Sequence, residues 1–490
     1  MLDSKKFLGA FAILFSILFA IALKQAPLFF SNQNLYLLKG VAQAAGLPLS
    51  NDWMANQTDH IPLFTWFVKN SYLISPISFY FYHYLLGAIL VFSLYKISKH
   101  HNDSSTNVYS VAIFFFLIFL GSKLFGVLDG VAGQYIYGNI FQPSVLGVLL
   151  VVSITCFQCG KYLCAMFCCL LAAYFHPTYI LQAAFLIFTY QVILFKTKRL
   201  NYILFFGLLA FLAILPLLYS LYDTFGRLPP EMIKRSQEIL IYERIPHHAL
   251  ANEFLPTKRF AISLALFTLA VIIYRRNRNV VLLLTIPGLL SAIFSLIAHF
   301  TNNFTMLLLF GQRSSVWLVP LASSLLIMRL ASQIQWHSVL NLPKILVLFS
   351  PLLAMTVFAI LGLSDLIREH QKNTNVELYK VLASFDYSNG SLMVPLDREN
   401  IRLNAKVPIF VDRKSHPFRA NEVIEWNSRI LLVKEFYDSR GEANTRQILN
   451  KINAIEKIRY VITDSKDLIR NCNPIYQNKE TKIYQIEKCF

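Results

Sequence analysis

Charged side chains are scarce in this chain. Of its 490 residues only 15% are charged, whereas 56% are hydrophobic. This composition excludes an ordinary soluble protein of similar length and is typical of a protein that spans a membrane many times. Acidic residues are fewer than basic ones: the chain has 27 aspartates and glutamates and 45 lysines and arginines. The positive excess comes without a basic helix or an RNA-binding motif. We therefore expect no nucleic acid, and we assign the excess to membrane topology and to anionic partners such as lipid phosphate.

The sequence also lacks the short motifs of several large enzyme classes. It has no G-x-S-x-G elbow, no phosphate-binding P-loop and no dinucleotide-binding glycine fingerprint. His247 and His248 are adjacent, so they cannot share one helical face in the i, i+4 spacing of a zinc site. The polar residues that remain are suited to acid–base catalysis next to a cationic binding site for phosphate.

Cysteine is rare as well, with 7 in the whole chain. Five of them lie in or beside apolar runs, and core packing explains the pair Cys156-x-x-Cys159 better than a redox function does. Cys472 and Cys489 flank a hairpin-like segment near the C-terminus. In an oxidising periplasm these two could form one disulfide.

Long apolar runs dominate what is present. Runs of about 17–22 residues, with a few shorter ones, predict about eleven membrane spans. They lie near residues 7–23, 77–95, 108–126, 144–158, 162–175, 178–195, 202–221, 259–274, 280–298, 314–333 and 344–363. The first run could be a signal peptide, but its small-x-small triplet Ala20-Ile21-Ala22 lies inside the apolar stretch, which favours an uncleaved first span.

Basic residues in the short connections predict how these spans are oriented. Lys96, Lys99 and Arg275–Arg278 lie in compact connections, and such connections face the cytoplasm. We therefore predict a multi-pass protein of the cytoplasmic membrane whose N-terminus is cytoplasmic. The same count places the C-terminal segment on the outer side.

Composition changes at about Ser364, after the last predicted span. Residues 1-364 are predicted to form an all-α transmembrane domain with long outer loops at 24-76 and 222-258, and residues 365-490 a small periplasmic α/β domain. The strands expected in the latter are Ser391–Pro395, Val407–Val411, Arg459–Thr463 and Lys482–Lys488, and the expected amphipathic helix is Glu442–Lys457.

The connection Arg227–Arg259 is unusually long and rich in charge. Pro229-Pro230 leaves room for a short helix at Glu231–Leu240, and the proline-bounded segment Pro246–Pro256 is not expected to continue that helix unbroken. The polar side chains of interest here are Arg235, Glu243, Arg244, His247 and His248. At a membrane surface they predict part of a substrate site, and the alternative is a solvated loop with incidental charges.

Other outer connections contribute further polar residues. Asp52 and His60 lie in the first long loop, Asp129 in a glycine- and tyrosine-rich connection, His176 before a proline and Arg313 at the mouth of a span. Three of these residues have a structural alternative, in which they do not touch substrate. Asp52 caps the helix that follows, His176 terminates a span, and Arg313 extends its charge to the membrane interface.

Three short runs, Tyr242–His248 (YERIPHH), Lys414–Phe418 (KSHPF) and Glu425-Trp426, resemble a group of uncharacterised bacterial polytopic membrane proteins. That group lies near the GT-C class of integral membrane glycosyltransferases. The layout is similar to GT-C proteins too, with a long first outer loop carrying an aspartate near the membrane, about eleven spans and a C-terminal α/β domain. The resemblance covers most of the chain in layout but depends on few residues.

The resemblance implies a bacterial inner-membrane enzyme that moves a sugar from a polyprenyl-phosphate-linked donor to a glycan or lipid acceptor of the cell envelope, at the outer face. It implies that Asp52 is the general base, and that Asp129 orients sugar hydroxyls or binds a divalent cation. Arg244 and Arg313 would bind the leaving lipid phosphate. The other residues expected to bind substrate are His60, His176, Arg235, Glu243, His247 and His248. Many relatives carry two adjacent acids in the first loop where this chain has Asn51-Asp52, which puts metal dependence in doubt.

Two other functions fit an outer surface of this kind. One is a transporter or flippase for lipid-linked glycans, and the other is an O-antigen-type polymerase or ligase. Against transport, the spans have no evident internal repeat and few ionisable residues at mid-depth, where transport pathways usually have them.

Overall fold

The computed structural model describes residues 5–102, 107–195, 198, 200–333, 343–371, 375–439, 441–464, 469 and 472–489. These residues pack into two compact units that are each built from separate stretches of chain. The first unit comprises Met1–Ala26, Phe79–Ser220 and Leu240–Arg368. The second comprises Pro27–Ser78, Leu221–Ile239 and Glu369–Phe490. The division at residue 364, between membrane and periplasm, stays a prediction.

Seven helices in the described parts of the chain are long and apolar enough to cross a membrane. They are Ser78–His100, Val108–Phe125, Pro177–Leu194, Leu200–Phe225, Arg278–Phe300, Phe304–Gln333 and Leu346–His370. The other predicted runs form shorter helices, at Lys6–Ala22, Pro143–Gln158, Tyr162–Phe175 and Lys258–Ile273. The helices indicate a multi-pass membrane protein, and the count of about eleven spans stays a prediction for the shorter ones.

The helix Ser315–Gln333 is central to the first unit. In the Phe304–Gln333 segment 72% of the most apolar window is buried, against 22% in Leu200–Phe225, and Trp317 is fully buried. It packs on Val108–Phe125 and on Lys258–Ile273. The helices that lie mainly in this unit are Lys5–Ala22, Ser78–His100, Val108–Phe125, Val148–Gln158, Tyr162–Phe175, Ile180–Leu194, Leu200–Phe225, Pro246–Ala249, Ala251–Phe254, Lys258–Ile273, Arg278–Phe300, Phe304–Leu308, Ser315–Gln333 and Lys344–Gln371.

Prolines mark two of the breaks between these helices. The helix Tyr162–Phe175 ends before His176-Pro177 because a residue that precedes proline avoids the helical conformation, and Pro177–Tyr179 forms a 3-10 turn. As expected, the segment after Pro246 does not continue the preceding helix unbroken. Ile239–Arg244 is a π-helical turn, followed by two helices of one turn each, Pro246–Ala249 and Ala251–Phe254.

A four-stranded sheet forms the core of the second unit. Its strands are β1 (Ser391–Met393), β2 (Ile458–Asp464), β3 (Tyr476–Gln477) and β4 (Thr481–Gln485), in the order β1-β2-β4-β3. β1 and β2 are parallel, and the other pairs are antiparallel. The helices of this unit are Gln33–Tyr36, Leu38–Ala45, Pro62–Ile74, Pro230–Glu238, Val376–Ala383, Asn400–Ala405, Ala420–Asp438 and Glu442–Ile455.

The predicted strand at Val407–Val411 is wrong. The segment makes only an isolated bridge, in which Ile409 opposes Leu392. The bridge consists of two backbone bonds, from the Leu392 N–H to the Pro408 carbonyl oxygen and from the Phe410 N–H to the Leu392 carbonyl oxygen, each at 3.0 Å. Pro408 has no N–H with which to extend them into a ladder, and the Ile409 N–H, on the other side of the segment, donates to the Asp52 carboxylate at 2.8 Å. The other three strands are confirmed in position, although the last ends at Gln485 rather than at residue 488.

The predicted disulfide between Cys472 and Cys489 is present. It encloses β3 and β4, and a closed loop of this size stabilises a fold by roughly 3 kcal/mol. We expect iodoacetamide to leave both cysteines unlabelled in non-reduced protein and to add two labels after reduction, measured by peptide mass spectrometry. Cys159, which is free and exposed, is the internal labelling control. A label on Cys472 or Cys489 before reduction would refute the pairing.

Candidate functional site

Polar side chains from three connections of the first unit come together at the ends of apolar helices. They are Thr178 from the Pro177–Tyr179 turn, His247 and His248 from Pro246–Ala249, and Gln312 and Arg313 from Gly311–Ser314. We name these five residues the histidine–arginine cluster. A fourth connection, 126–143, packs beside it through Ala132, whose carbonyl oxygen contacts His248.

Two small apolar clusters hold this arrangement together. Ile241 and Ala249 are buried against Phe310, which docks the histidine-bearing segment on the turn that carries Arg313. Val131 and Ala132 are buried against Phe254, which docks the same segment on the 126–143 connection. Burial of these side chains, at about 25 cal/mol per Å² of apolar area, therefore positions the histidines without a long regular element.

His248 is held by hydrogen bonds on both its ring and its backbone. Nδ1 lies 2.6 Å from the carbonyl oxygen of Ala132, and Gln312 Nε2 donates to the His248 carbonyl at 2.5 Å. Burial, and then the charges of His247, Arg313 and Arg244, lower the pKa of His248 to about 4, although the bond to Ala132 opposes them. A neutral ring that donates from Nδ1 keeps its lone pair on Nε2, so His248 can accept a hydrogen bond or a proton there.

Arg313 is a half-buried cation without a carboxylate partner. Nη1 donates to Thr178 Oγ1 at 2.5 Å, and the guanidinium carbon lies 5.4 Å from the centre of the Tyr179 ring. Its Nε is buried and has no hydrogen-bond partner among the described residues, whose ion pairs do not include Arg313. Because a desolvated guanidinium is costly to leave unpaired, this geometry favours an anionic ligand.

Asp129 lies in the neighbouring connection and is held by Arg259. Its Oδ2 is 3.1 Å from Arg259 Nη2, and its side chain stays 46% exposed. Burial raises the pKa of Asp129, and Arg259 opposes the shift. Tyr135 forms an isolated β-bridge with Asp129. Burial raises the pKa of the Tyr135 phenol, the charge of Asp129 adds to this shift, and the charge of Arg313 opposes it.

Arg259 also fixes the turn that carries Asp129. It donates to the carbonyl oxygens of Phe125, at 2.5 Å, and of Gly126. Gly126 has a positive φ of 56°, and a Cβ built there would collide with Arg259 Nη1. Glycine adopts this backbone conformation without strain and leaves room for the close approach of Arg259.

Two residues beside the histidine–arginine cluster have a strained backbone. Ala132 and Phe310, neither of them glycine, have positive φ values of 58° and 48°. Such residues cost on the order of 1–3 kcal/mol each and are frequent at binding and catalytic sites. The π-helical turn Ile239–Arg244, which precedes the histidines, is another feature often found at functional sites.

Several other predicted residues lie near this cluster. His176 is buried with its ring centre 5.5 Å from that of Tyr179, the ring over which Arg313 lies. Arg244 is close enough to act on the pKa of His248, and Glu243 precedes it on the π-helical turn with its side chain exposed. The structure thus brings His176, Arg244, His247, His248 and Arg313 together, with Asp129 beside them.

Asp52 belongs to the second unit and is fully buried there. Oδ2 accepts from Arg402 Nε at 2.9 Å and from the Ile409 N–H at 2.8 Å, while Oδ1 accepts from the Ala55 N–H at 3.0 Å. The last bond caps the turn Met54–Asn56. A carboxylate that is enclosed and occupied by donors in this way is a structural group, so the geometry favours the capping alternative over a general base.

Arg402 joins Asp52 to a second buried carboxylate, that of Asp412. Burial by itself lowers the pKa of Arg402, but the two carboxylates outweigh it and raise the value overall. Asp412 also accepts from the backbone N–H groups of Lys414, at 2.8 Å, and Ser415, at 2.6 Å. This buried charge network ties the first long loop to the C-terminal segment, and no pattern in the sequence pairs these residues.

The remaining two predicted site residues also lie in the second unit. The His60 ring centre is 3.7 Å from that of Phe418, and burial, with Lys39 adding to it, lowers the pKa of His60 to about 3. This ring is neutral and packs in an aromatic contact. Arg235 is exposed on the helix Pro230–Glu238 and pairs with Glu238 at 3.5 Å.

Sequence reasoning missed Thr178, Tyr135 and Arg259. Thr178 carries no charge, and Tyr135 is one of 24 tyrosines, so composition does not single them out. The position of Arg259 could have marked it as a site residue, because it lies in the first turn of an apolar helix, next to a charged connection. The same signal fits a basic residue that only reaches for the membrane interface.

Residues 388–433 match a family described as a domain of unknown function (DUF6798). This segment contains Arg402 and Asp412, and therefore two members of the buried charge network. No curated protein matches the chain.

Proposed function

We propose that the chain is a glycosyltransferase of the GT-C type in a bacterial inner membrane. It moves a sugar from a polyprenyl-phosphate-linked donor to a glycan or lipid acceptor of the cell envelope. The histidine–arginine cluster is the proposed phosphosugar site. The observation that carries the proposal is the state of Arg313, a half-buried guanidinium without a carboxylate partner in the described structure. Because Arg313 lies at the ends of apolar helices, the anion that fits it best is a phosphate carried by a lipid.

Sidedness supports an outer location for this site. The helices Lys258–Ile273 and Arg278–Phe300 are joined by the basic connection 274–277, and basic connections face the cytoplasm. Arg259 and the turn with Arg313 adjoin the opposite ends of these two helices. The disulfide Cys472–Cys489 in the second unit supports a periplasmic C-terminus, because disulfides persist in oxidising compartments.

The proposed reaction uses the cluster for charge stabilisation and Asp129 for proton transfer. The acceptor hydroxyl oxygen forms a bond to the anomeric carbon, and the bond from that carbon to the phosphate oxygen breaks. The electron pair leaves on the polyprenyl phosphate, whose charge Arg313 stabilises. The hydroxyl proton goes to the carboxylate of Asp129, which is partly exposed and has a raised pKa. His248 Nε2 accepts a hydrogen bond from a sugar hydroxyl.

This assignment gives Asp129 the role of base that the resemblance implied for Asp52. The oxygens of Asp52 are enclosed by Arg402 and by backbone donors, whereas almost half of the Asp129 side chain is exposed. A base must reach the proton that it removes, so exposure decides between the two acids.

The residues around Asp129 do not fit a resident divalent cation. Magnesium and calcium need several oxygen ligands, whereas the described neighbours of Asp129 are Arg259, Tyr135 and backbone groups. The only group of three close metal-ligating side chains in the described residues consists of cysteines elsewhere in this unit. No step of the proposed reaction is therefore routed through a metal.

Asp129→Asn is expected to lower sugar transfer roughly 100-fold or more, the usual contribution of a general base. The assay uses purified protein in proteoliposomes with a panel of undecaprenyl-phosphate hexoses and pentoses, and it measures released undecaprenyl phosphate. Asp365→Asn, which removes another partly exposed, ion-paired carboxylate of the same unit, is the control and should retain activity. Unchanged transfer in Asp129→Asn would overturn the assignment. Donor lipid that crosses the bilayer without transfer would favour the flippase instead.

The pH profile of transfer tests His248 separately. Because its pKa is lowered to about 4, His248 stays neutral well below the usual value for histidine. We expect its contribution to persist as the pH falls from 8 to about 5, and to be lost only as the pH approaches 4. The carboxylate of Asp129 also gains a proton as the pH falls, so His248→Gln should lower transfer evenly between pH 8 and 5 and leave the acidic limb of the profile in place. An acidic limb near pH 6.5 that disappears in His248→Gln would contradict a neutral, buried ring.

A further inference from the structure

Three cysteines converge at one hairpin of the first unit, away from the histidine–arginine cluster. The helices Val148–Gln158 and Tyr162–Phe175 are joined by a turn in which Gly160 has a positive φ of 74°. Cys156 lies on the first helix, and Cys164 and Cys168 lie on the second. The spacing of four residues between Cys164 and Cys168 puts both on one helical face, opposite Cys156.

The three sulfur atoms are close enough to share one ion. All lie within 4.8 Å of one another, and Cys156 Sγ is 3.4 Å from Cys164 Sγ. With metal–sulfur bonds of about 2.3 Å, a trigonal site needs sulfur atoms about 4 Å apart. Only small side-chain movements would bring this set to that geometry.

We propose that Cys156, Cys164 and Cys168 form a binding site for a soft cation, and that its occupant is Cu(I). Thiolate ligands select soft metals such as Cu(I), zinc or iron–sulfur clusters. Structural zinc sites are four-coordinate, and the described residues offer three ligands in this group. A monovalent ion that is satisfied by three sulfur atoms therefore fits best.

Packing alone does not account for Cys156 and Cys164. Cysteines that serve as small apolar side chains are usually buried. Cys169 is of that kind, since it is fully buried and lies 3.0 Å from Ser153 Oγ. Cys164 is exposed and Cys156 is half-buried, so an ion can reach them from the helix ends.

Two lysines lie near the start of the second cysteine-bearing helix. Lys161 in the turn is exposed, and the Lys198 amino group lies 5.6 Å from the centre of the Tyr162 ring, so two positive charges flank the start of the second helix. Thr178 follows the C-terminal end of the helix Tyr162–Phe175, whereas Cys164 lies near its N-terminal end. Under the orientation proposed above, that end faces the reducing cytoplasm, where thiols stay free.

The test is an anaerobic titration of the reduced, full-length protein with Cu(I) in competition with a chromogenic Cu(I) chelator. We expect one Cu(I) per chain. Cys156→Ser and Cys164→Ser should each weaken retention roughly tenfold or more. Cys159→Ser and Cys169→Ser are matched controls and should bind as the unmodified protein does. X-ray absorption of the bound copper should show three sulfur neighbours.

Several outcomes would overturn the proposal. They are no retained Cu(I), equal loss in Cys159→Ser, preferential retention of zinc in a parallel titration, and a Cys156–Cys164 disulfide in protein alkylated at cell lysis. Cys156 and Cys164 are not fully buried, so their serine variants should fold, and an unchanged Tm without metal verifies this. The result does not depend on sugar transfer, because binding is measured directly.

Discussion

Arg402→Met is expected to unfold the second unit or to lower its stability severely. The side chains of Arg402, Asp52 and Asp412 are no more than 1% exposed, and the substitution leaves two buried carboxylates without a counter-charge. Breaking a buried ion pair in this way costs about 3–5 kcal/mol. We expect a fall in Tm on the order of 10 °C for detergent-solubilised protein, measured by thermal unfolding.

Arg398→Met is the matched control. Arg398 also pairs with an aspartate of the second unit, Asp464, at 2.7 Å, but the Asp464 side chain is 60% exposed. Exposed pairs contribute about 0–1 kcal/mol, so the Tm should hardly change. An equally small effect of Arg402→Met would show that the buried charge network does not stabilise the fold.

Asp52→Asn distinguishes the structural role of this residue from the catalytic one. The neutral amide has one acceptor oxygen where the carboxylate has two, and it removes one of the counter-charges of Arg402. Asp52→Asn should therefore lower the Tm, as Arg402→Met does. Normal Tm combined with abolished sugar transfer would instead restore Asp52 as the general base.

Arg313→Ala is expected to weaken binding of a lipid phosphate roughly 10- to 100-fold, because a hydrogen-bonded charge contributes about 1.5–3 kcal/mol. The measurement compares undecaprenyl phosphate with undecaprenol by native mass spectrometry of the purified protein. Only the phosphate-bearing lipid should respond to the substitution. Arg313→Lys should retain part of the affinity, since lysine keeps the charge but loses the planar fork.

Arg276→Ala is the control for general charge effects. Arg276 is exposed in the basic connection at the other end of the helix Arg278–Phe300. Its loss should leave lipid-phosphate binding unchanged. If Arg276→Ala and Arg313→Ala weaken binding equally, the attraction is a diffuse surface effect and the proposed site is wrong.

The helices were largely predictable because their signal is local. A run of apolar residues identifies a candidate membrane helix by its own composition, and a proline such as Pro177 shows where that helix must stop. The segment Val407–Val411 shows the limit of this reasoning. Its β-rich composition favours a strand, but Pro408 has no N–H to extend the single bridge into a ladder.

The candidate site was predictable only in part. Charged and imidazole side chains in unusually polar connections singled out His247, His248 and Arg313, which the structure brings together. The same argument selected Asp52 and His60, which are buried in the second unit with structural partners. A side chain's type shows what chemistry it is capable of, whereas its exposure depends on distant segments.

The sequence by itself determined that this chain is a membrane protein with a mixed C-terminal segment, because hydropathy and periodicity are properties of neighbouring residues. It also determined which residue types are available for phosphate chemistry. Tertiary structure alone decided that Asp52 pairs with Arg402, 350 positions away, and that Asp129 is held by Arg259. Pairings over such separations depend on how packed helices and loops return to one another, and no local pattern encodes them.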